Sequence, residues 1–397
     1  MKVLVWTKEF ELKNSGGPMG YCYNIKSYLD EHPCESIDFY PTSRTLTETE
    51  KKQKPSLKRI VSKFLSVCKY TEFFIVLYRY YIKKIELSKS DYELLQKYDF
   101  VHVHLMSEIL QTFQYYDGTA KVILTTHTPE PMIDELIGRY NVQLLMKFLP
   151  FVRMFCLKKE ALAYQKADYI MFPVPEAREP YVNRSRILSN ALNSLTKKIF
   201  YVPTSVNQLS EKNMNNYLLE KINIPLDSLK VCYVGRHNEV KGYDFLQKVA
   251  KEIWKKENVY FIVGGAQAPL KGLNDKRWVE LGWVKTPELL NCVDVFILPN
   301  KETYFDIILL EVLRQGIPVI ISKTGGNKWF VPQNIEGIKC FEYGNIEDCI
   351  SLIRQYSLLK KNGRLPEIGD SNKVYFCKEL SMAKYVEKYV TSLENLS

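Results

Sequence analysis

The chain has 397 residues, 46% of them apolar and 25% charged, which suits two folded globular domains and excludes extended disorder. Its formal net charge is +10, from 55 Lys and Arg against 45 Asp and Glu. Nine cysteines without a CxxC pair, and five histidines without metal-ligand spacing, fit a reducing cytosol and exclude both a disulfide framework and a zinc site.

The first apolar run gives way to charge too soon for a signal peptide, and no stretch approaches the ~18 apolar residues of a bilayer span. A cytoplasmic protein, free or peripheral on the inner face of the cell membrane, is expected. Strands are predicted at Lys2–Trp6, Phe100–His104, Lys121–Thr126 and Tyr169–Pro173, with helices over 20–31, 56–84 and 131–165. After the first strand comes "KNSGGPMGYCYN", where Gly16 and Gly17 precede a helix; backbone can approach a phosphate or sugar there, although a tight turn without a ligand explains such loops equally. The spacing is not GxGxxG. Residues 51–84 carry ten Lys or Arg against the single Glu72, interleaved with aromatic and aliphatic residues, and 144–160 has the same character. Binding to an anionic membrane surface and a solvated basic face both fit this pattern. No recognised motif accompanies the charge, so nucleic acid is not expected.

The polar, turn-rich stretch ending at residue 228 is the candidate linker, which sets domains at 1–205 and 229–375, a linker at 206–228 and a closing helical segment at 376–397. The second half restarts with the strand "KVCYVG" (230–235), followed by strands at Val259–Gly264, Trp278–Trp283, Val293–Leu298 and Pro318–Ile321. Alternation of strands with helical patterns predicts an α/β architecture of two Rossmann-like parallel-sheet domains facing across a cleft. Ligands then belong at the carboxyl ends of the strands. Arg236 and Lys241 follow the strand 230–235 and make a site for a diphosphate; two unrelated surface cations are the alternative. In "PNKETYFDIILLEVLRQGIPVIISKTGG" (299–326) the helix predicted over Ile307–Gln315 is apolar on nearly every side yet holds Glu311. Such a carboxylate needs a partner, either Arg314 one turn on or a ligand.

These residues, with "FIVGGA" (261–266) and "LGWVKTPELLNCVDVFILPN" (281–300), resemble the retaining GT-B glycosyltransferases of family 4. The resemblance covers 230–330 and extends more loosely to the glycine loop, to "VHVH" at 101–104 and to "TTHTP" at 125–129. It implies a nucleotide-sugar held mainly by the second domain and an acceptor held mainly by the first. Arg236 and Lys241 would hold the donor diphosphate, Glu311 would match the second glutamate of an E-x7-E motif and accept hydrogen bonds from the ribose hydroxyls, and Val284 would lie by the base. The backbone N–H of Ile307 would face a phosphate. His127 would lie beside the reacting sugar and acceptor, orienting hydroxyls or stabilising charge.

Two departures stand out. The first motif glutamate, which would contact the donor sugar's hydroxyls, should be residue 303; Thr303 stands there and offers the donor one hydroxyl, or a one-residue bulge brings Glu302 into its place, and Tyr304 and Asp306 replace the usual loop glycines. Asp306 reads as a helix N-cap or as a contact to sugar hydroxyls. The expected activity is retaining transfer of a sugar from a nucleoside-diphosphate donor, UDP-linked, to a saccharide, a lipid-linked saccharide or a protein, in surface polysaccharide or glycoconjugate assembly. No cofactor is expected, and since no DxD occurs, no metal. The rival readings are a non-catalytic GT-B partner subunit and, on similar domains, an NAD-dependent oxidoreductase or sugar-nucleotide epimerase.

Overall fold

A computed structural model describes residues 1–8, 12–13, 17–40, 69–208, 224–225 and 227–396. The chain divides into two compact units: Met1–Phe172 with Tyr181–Val202 and Tyr389–Ser397, and Pro173–Pro180 with Pro203–Lys388. Residues 173–180 thus group with the second unit and 389–397 with the first, which a single cut at 205 does not capture. Much of the expected linker, together with Gly16 and the 51–68 part of the basic segment, lies outside the described residues.

The first unit is built on a six-stranded parallel sheet in the order β2-β1-β3-β4-β5-β6. The strands are β1 (Val3–Trp6), β2 (Ile37–Phe39), β3 (Phe100–Val103), β4 (Lys121–Leu124), β5 (Tyr169–Phe172) and β6 (Ile199–Tyr201). Every residue of β1 and β3 is buried. Strands covered on both faces read as continuous apolar runs, which is why they were legible, whereas β2 and β6 have three residues each and carry little pattern. The strand order reverses between β1 and β3, so the loops after these two strands diverge at a topological switch point.

Helix α1 (Gly17–Glu31) follows β1, and α2 (Lys69–Tyr81) precedes β3. The helix expected over 131–165 is three: α3 (Met132–Tyr140), α4 (Gln143–Phe148) and α5 (Pro150–Lys166). Asn141, left-handed at φ 51°, ends α3, and Pro150 opens α5 where its missing N–H costs nothing. Glu160 of α5 is fully buried; it accepts the Tyr81 hydroxyl at 2.8 Å and the N–H groups of Ile133 and Met132 at 2.9 and 3.1 Å, capping α3 and tying α2 to it. Burial pushes its carboxyl up to about 7, while those hydrogen bonds pull the other way.

The second unit has its own six-stranded parallel sheet, in the order β12-β11-β10-β7-β8-β9. Its strands are β7 (Leu229–Val234), β8 (Val259–Gly264), β9 (Trp278–Gly282), β10 (Val295–Leu298), β11 (Val319–Ser322) and β12 (Ile338–Phe341). β12, "IKCF", was not apparent in sequence because Lys339 interrupts the apolar run. The order reverses between β7 and β10, which are adjacent and parallel. Helix α6 (Tyr243–Ile253) buries Tyr243, Leu246, Val249, Ala250 and Ile253 at helical spacing.

Helix α7 runs from Ile307 to Gln315, with Gly316 left-handed at its C-terminus (φ 73°), as the sequence predicts. It is less buried than its composition suggests: Leu309, Leu310, Val312 and Leu313 are core, but Ile307, Ile308 and Glu311 share a half-buried side. Near the end of the chain, Phe376–Leu380 continues the helix Leu365–Tyr375 as a π turn. Ser381, in extended backbone, then separates this turn from the helix Met382–Glu394.

Candidate active site

The site-forming loops of the second unit leave β7, β10 and β11, three neighbouring strands that straddle the switch point. Their spacing is set by glycine. Gly242, left-handed at φ 67°, lies so close to the β10 loop that a Cβ would sit 1.7 Å from the Pro299 carbonyl oxygen. That close approach lets the Val240 carbonyl accept the N–H groups of Lys301 and Glu302 at 3.0 and 3.3 Å. On the other side, Gly325 (φ 43°) packs so that a Cβ would meet the Thr303 carbonyl at 2.0 Å, and the Gly326 N–H donates to that carbonyl at 3.3 Å. Three loops are knitted into one rigid rim.

Lys241 is turned inward on this rim. Its ammonium donates to both carboxylate oxygens of Asp306, at 2.7 and 2.8 Å, with each side chain only 15% exposed. Asn300, buried at the end of the β10 strand, donates its amide to the same carboxylate and keeps its own Oδ1 without a partner. Asp306 holds the N-cap position of α7, yet its side chain makes no capping bond. The expected N-cap position is thus occupied without a side-chain cap, and the carboxylate is a counter-ion for Lys241. Arg236 is exposed, and its carbonyl accepts the Tyr233 hydroxyl at 2.8 Å, which fixes the start of the loop. In the first turn of α7 the Leu309 N–H donates to the Asp306 carbonyl at 3.1 Å, while the N–H groups of Ile307 and Ile308 are the kind a helix leaves unused at its start.

Glu311 makes no hydrogen bond or ion pair with any described residue. Burial raises its carboxyl above the ordinary range, with Arg314 opposing. Arg314 does not pair with it; the guanidinium donates to the Asn207 carbonyl instead. The intrahelical alternative for Glu311 is therefore unmade, and the carboxylate stays on the half-buried side of α7, available to a hydroxyl donor. Thr303 is placed otherwise than expected: it is 0% exposed and its Oγ1 has no partner, so it does not reach a surface where a sugar could bind. Glu302 beside it is half-buried. Val284 sits at the carboxyl ends of β8 and β9, where a Cβ on Gly264 would come within 2.9 Å of its methyl. Its neighbour Trp283 is 89% exposed, an apolar ring that sequence reasoning passed over.

His127 and Gly17 belong to the first unit and form a separate group there. Gly17 is left-handed at φ 72° and starts α1, whose Tyr21 ring lies 4.8 Å from His127 and 5.3 Å from His104. The His104 Nδ1 and His127 Nε2 are hydrogen-bonded at 3.0 Å, a link the sequence did not reveal because 23 residues separate them. His102 shares its two nitrogens between the Tyr389 hydroxyl at 2.7 Å and the Thr125 hydroxyl at 2.8 Å. Since Thr125 Oγ1 donates to the Met171 carbonyl, it accepts from His102 Nε2–H, leaving Nδ1 to accept from Tyr389. Burial pushes His102 and His127 down to about 3 and holds His104 well below its usual range. All three are neutral near pH 7. His127 therefore acts as a hydrogen-bonding group and not as a cation. No group of three His, Cys, Asp or Glu side chains among the described residues is arranged to hold a metal ion.

Residues 228–357 match the family model described as Glycosyl transferases group 1. The match spans the whole knitted rim, from β7 past β12, so Arg236, Lys241, Asp306 and Glu311 all lie inside the matched stretch. Over 291 residues the chain is 25% identical to the UDP-Gal:alpha-D-GlcNAc-diphosphoundecaprenol alpha-1,3-galactosyltransferase of Escherichia coli, covering 68% of this chain and 70% of that one. It is 24% identical to the sulfoquinovosyl transferase SQD2 of Arabidopsis thaliana over 59% of this chain, a match that spans 44% of that protein. Among solved structures, sucrose-phosphate synthase from Thermosynechococcus elongatus superimposes with a TM-score of 0.61 at 13% identity, over 100% of this chain and 98% of that one. Anabaena Alr3699/HepE in complex with UDP gives 0.58 at 12% identity, over 100% of both chains. The two units together have the GT-B fold.

Proposed function

We propose that this chain is a retaining, metal-independent glycosyltransferase. It moves a sugar from a nucleoside-diphosphate sugar, UDP-linked, to a hydroxyl acceptor in the assembly of a surface polysaccharide or glycoconjugate. The carrying observation is that the loop after β7 carries Arg236 and Lys241, that Lys241 is tied to Asp306 at the start of α7, and that Glu311 one turn further along that helix is a half-buried carboxylate with no partner among the described residues. A diphosphate needs the cations and the first-turn N–H groups of α7. A ribose needs an acceptor for its hydroxyls, and Glu311 is a desolvated acceptor whose burial a ribose would offset. Similarity to a UDP-galactose-dependent galactosyltransferase and to a structure solved with UDP supports a UDP donor.

In this reading the acceptor hydroxyl attacks the anomeric carbon on the face from which the diphosphate leaves, and the departing phosphate oxygen takes the proton. The bond to the leaving oxygen breaks as the new glycosidic bond forms. Negative charge grows on the leaving group, and fixed cations aimed at it are the main catalytic resource. Lys241 has three N–H donors, so Asp306 can hold the ammonium on one side while another N–H meets the phosphate. Asp306 thereby aims the lysine. His127, neutral and held by His104, would orient a hydroxyl of the sugar or acceptor. The acceptor favoured by the aromatic-basic segments of the first unit is a lipid-linked saccharide.

A thermal-shift screen of UDP-, ADP-, GDP- and dTDP-sugars, followed by donor turnover in wild type and Arg236→Ala, tests the proposal. Stabilisation by a UDP-sugar, turnover lost in Arg236→Ala and a product of retained anomeric configuration support it. No stabilisation by any nucleotide-sugar, or turnover unaffected by Arg236→Ala, refutes it. The occluded Thr303 and the carboxylate on Lys241 favour one second reading, a non-catalytic partner subunit, for which donor binding without turnover is the signature.

A further inference from the structure

Helix α2 is apolar on two sides. Phe73, Leu77 and Tyr81 face the core at i, i+4 and i+8, while Tyr70, Phe74, Tyr78 and Ile82 form a second stripe at the same period, with Ile75 beside it, all exposed. A helix apolar all round is ordinarily enclosed; among the described residues only one side of this helix is buried. Helices α4 and α5 repeat the pattern: Leu144, Phe148, Phe151, Met154 and Phe155 are exposed, Phe148 by 75%. These two stretches hold ten of the fifteen large apolar side chains exposed among the described residues, so the exposure is concentrated and not scattered. They also adjoin. Tyr70 at the start of α2 shares a cavity of about 400 Å³ with Asn141, Leu144, Leu145 and Lys147 at the start of α4.

Charge identifies the occupant. The exposed ionic groups carried by these helices and the turn after α2 are mostly cations: Arg79, Lys83, Lys84, Lys147 and Lys158 against Glu72. The two acids near Arg153 and beyond Lys84 are already paired, Asp134 with Arg153 at 2.7 Å and Glu86 with Lys84 at 3.5 Å. The aromatic rings sit beside ammonium groups, Lys84 lying 4.8 Å above Tyr115 and Lys159 lying 5.8 Å from Phe155. Aromatic and aliphatic side chains fringed by lysine match the boundary between lipid headgroups and acyl chains, and the sign of the charge matches an anionic surface.

We infer that the face formed by α2, α4 and α5 is a docking surface for an anionic lipid bilayer, inserted through Phe74, Tyr78, Phe148 and Phe151 and held electrostatically by Lys83, Lys84, Lys147 and Lys158. This deepens the proposed function by naming where a lipid-linked acceptor would be met, and rests on it only for the acceptor's lipid. No helix among the described residues is long and apolar enough to cross a membrane, so the contact is to one leaflet.

The test is co-sedimentation of the full chain with vesicles of phosphatidylglycerol and phosphatidylcholine, and with vesicles of phosphatidylcholine alone. Wild type should pellet with the anionic vesicles. The double variant Phe148→Ser, Phe151→Ser should bind at least about tenfold more weakly, because two exposed rings no longer leave water on insertion. Lys147→Glu with Lys158→Glu should weaken binding to a similar degree, and about 1 M salt should weaken wild type several-fold. Both double variants change exposed side chains, so unchanged melting temperature and unchanged UDP-sugar binding verify the fold. Wild type remaining in the supernatant with anionic vesicles overturns the inference. So does binding that the Phe variant leaves unaltered, or a concentration-dependent dimer that the Phe variant abolishes without vesicle binding by wild type. Vesicle binding by a chain that binds no nucleotide-sugar would leave the docking surface standing and refute the proposed transfer.

Discussion

Replacing Lys241 by methionine separates a catalytic lysine from a structural one. The Lys241–Asp306 pair is 15% exposed on each side and doubly hydrogen-bonded, at 2.7 and 2.8 Å. Removing the ammonium leaves Asp306 with only the Asn300 amide, and stranding a mostly desolvated carboxylate costs about 1–3 kcal/mol, below the ~3–5 kcal/mol of a fully buried pair. A fall of a few degrees in Tm follows for a unit of this size. The companion change Asp306→Asn removes the stranded charge, so the double variant should recover to within about 1 kcal/mol of wild type. Catalysis should not recover. Loss of one preorganised cation on the leaving diphosphate costs ~2.7–4 kcal/mol, a fall of about 10² to 10³ in kcat, in single and double variants alike. Thermal unfolding and steady-state turnover of the four proteins give both readouts. Turnover restored in the double variant would show that Lys241 serves only to neutralise Asp306, and the reasoning would fail.

Three further outcomes follow from the same geometry. Glu311→Gln should weaken UDP binding by about 1–3 kcal/mol in calorimetry while leaving the ligand-free Tm unchanged or raised, because a desolvated carboxylate with no partner is removed. Gly242→Ala should lower both Tm and turnover, since a Cβ there collides with the Pro299 carbonyl at 1.7 Å and the φ of 67° disfavours any side chain; an unaffected protein would deny that glycine sets the loop spacing. His102 is held neutral with its folded pKa lowered to about 3 by burial, so the unfolded chain takes up a proton below about 6.5 that the native chain refuses. Stability from this residue is therefore present above that pH and lost as pH falls toward 3, and His102→Gln should flatten the acid limb of a urea-midpoint titration by about one proton.

Much of the second unit was legible because its signals are local. The run from the β7 strand to Arg236, Lys241 and Gly242, and the helix bounded by Asp306 and Gly316, each announce themselves within a dozen residues, and the structure places their boundaries within one or two residues. Short strands fared worse: "IDF" and "IFY" pair along the edges of longer neighbours, and "IKCF" pairs with an equally short one. The single helix expected over 131–165 broke at Asn141 and Pro150, residues whose backbone preferences were visible but were outweighed by continuous hydrophobicity. Long-range pairs were not legible at all. Nothing in the spacing of Lys241 and Asp306, 65 residues apart, announces an ion pair; only the adjacency of β7 and β10 brings them together. The same holds for His104 and His127, which meet because β3 and β4 are parallel neighbours. Thr303 shows the converse error, a motif position read as functional that the fold buries.

The most direct measurement is a crystal structure of the chain soaked with a UDP-sugar. The account predicts the diphosphate against Arg236, Lys241 and the first turn of α7, with the ribose hydroxyls donating to Glu311. Nucleotide density away from these groups, or ribose hydroxyls held by other residues while Glu311 stays without a partner, would contradict it.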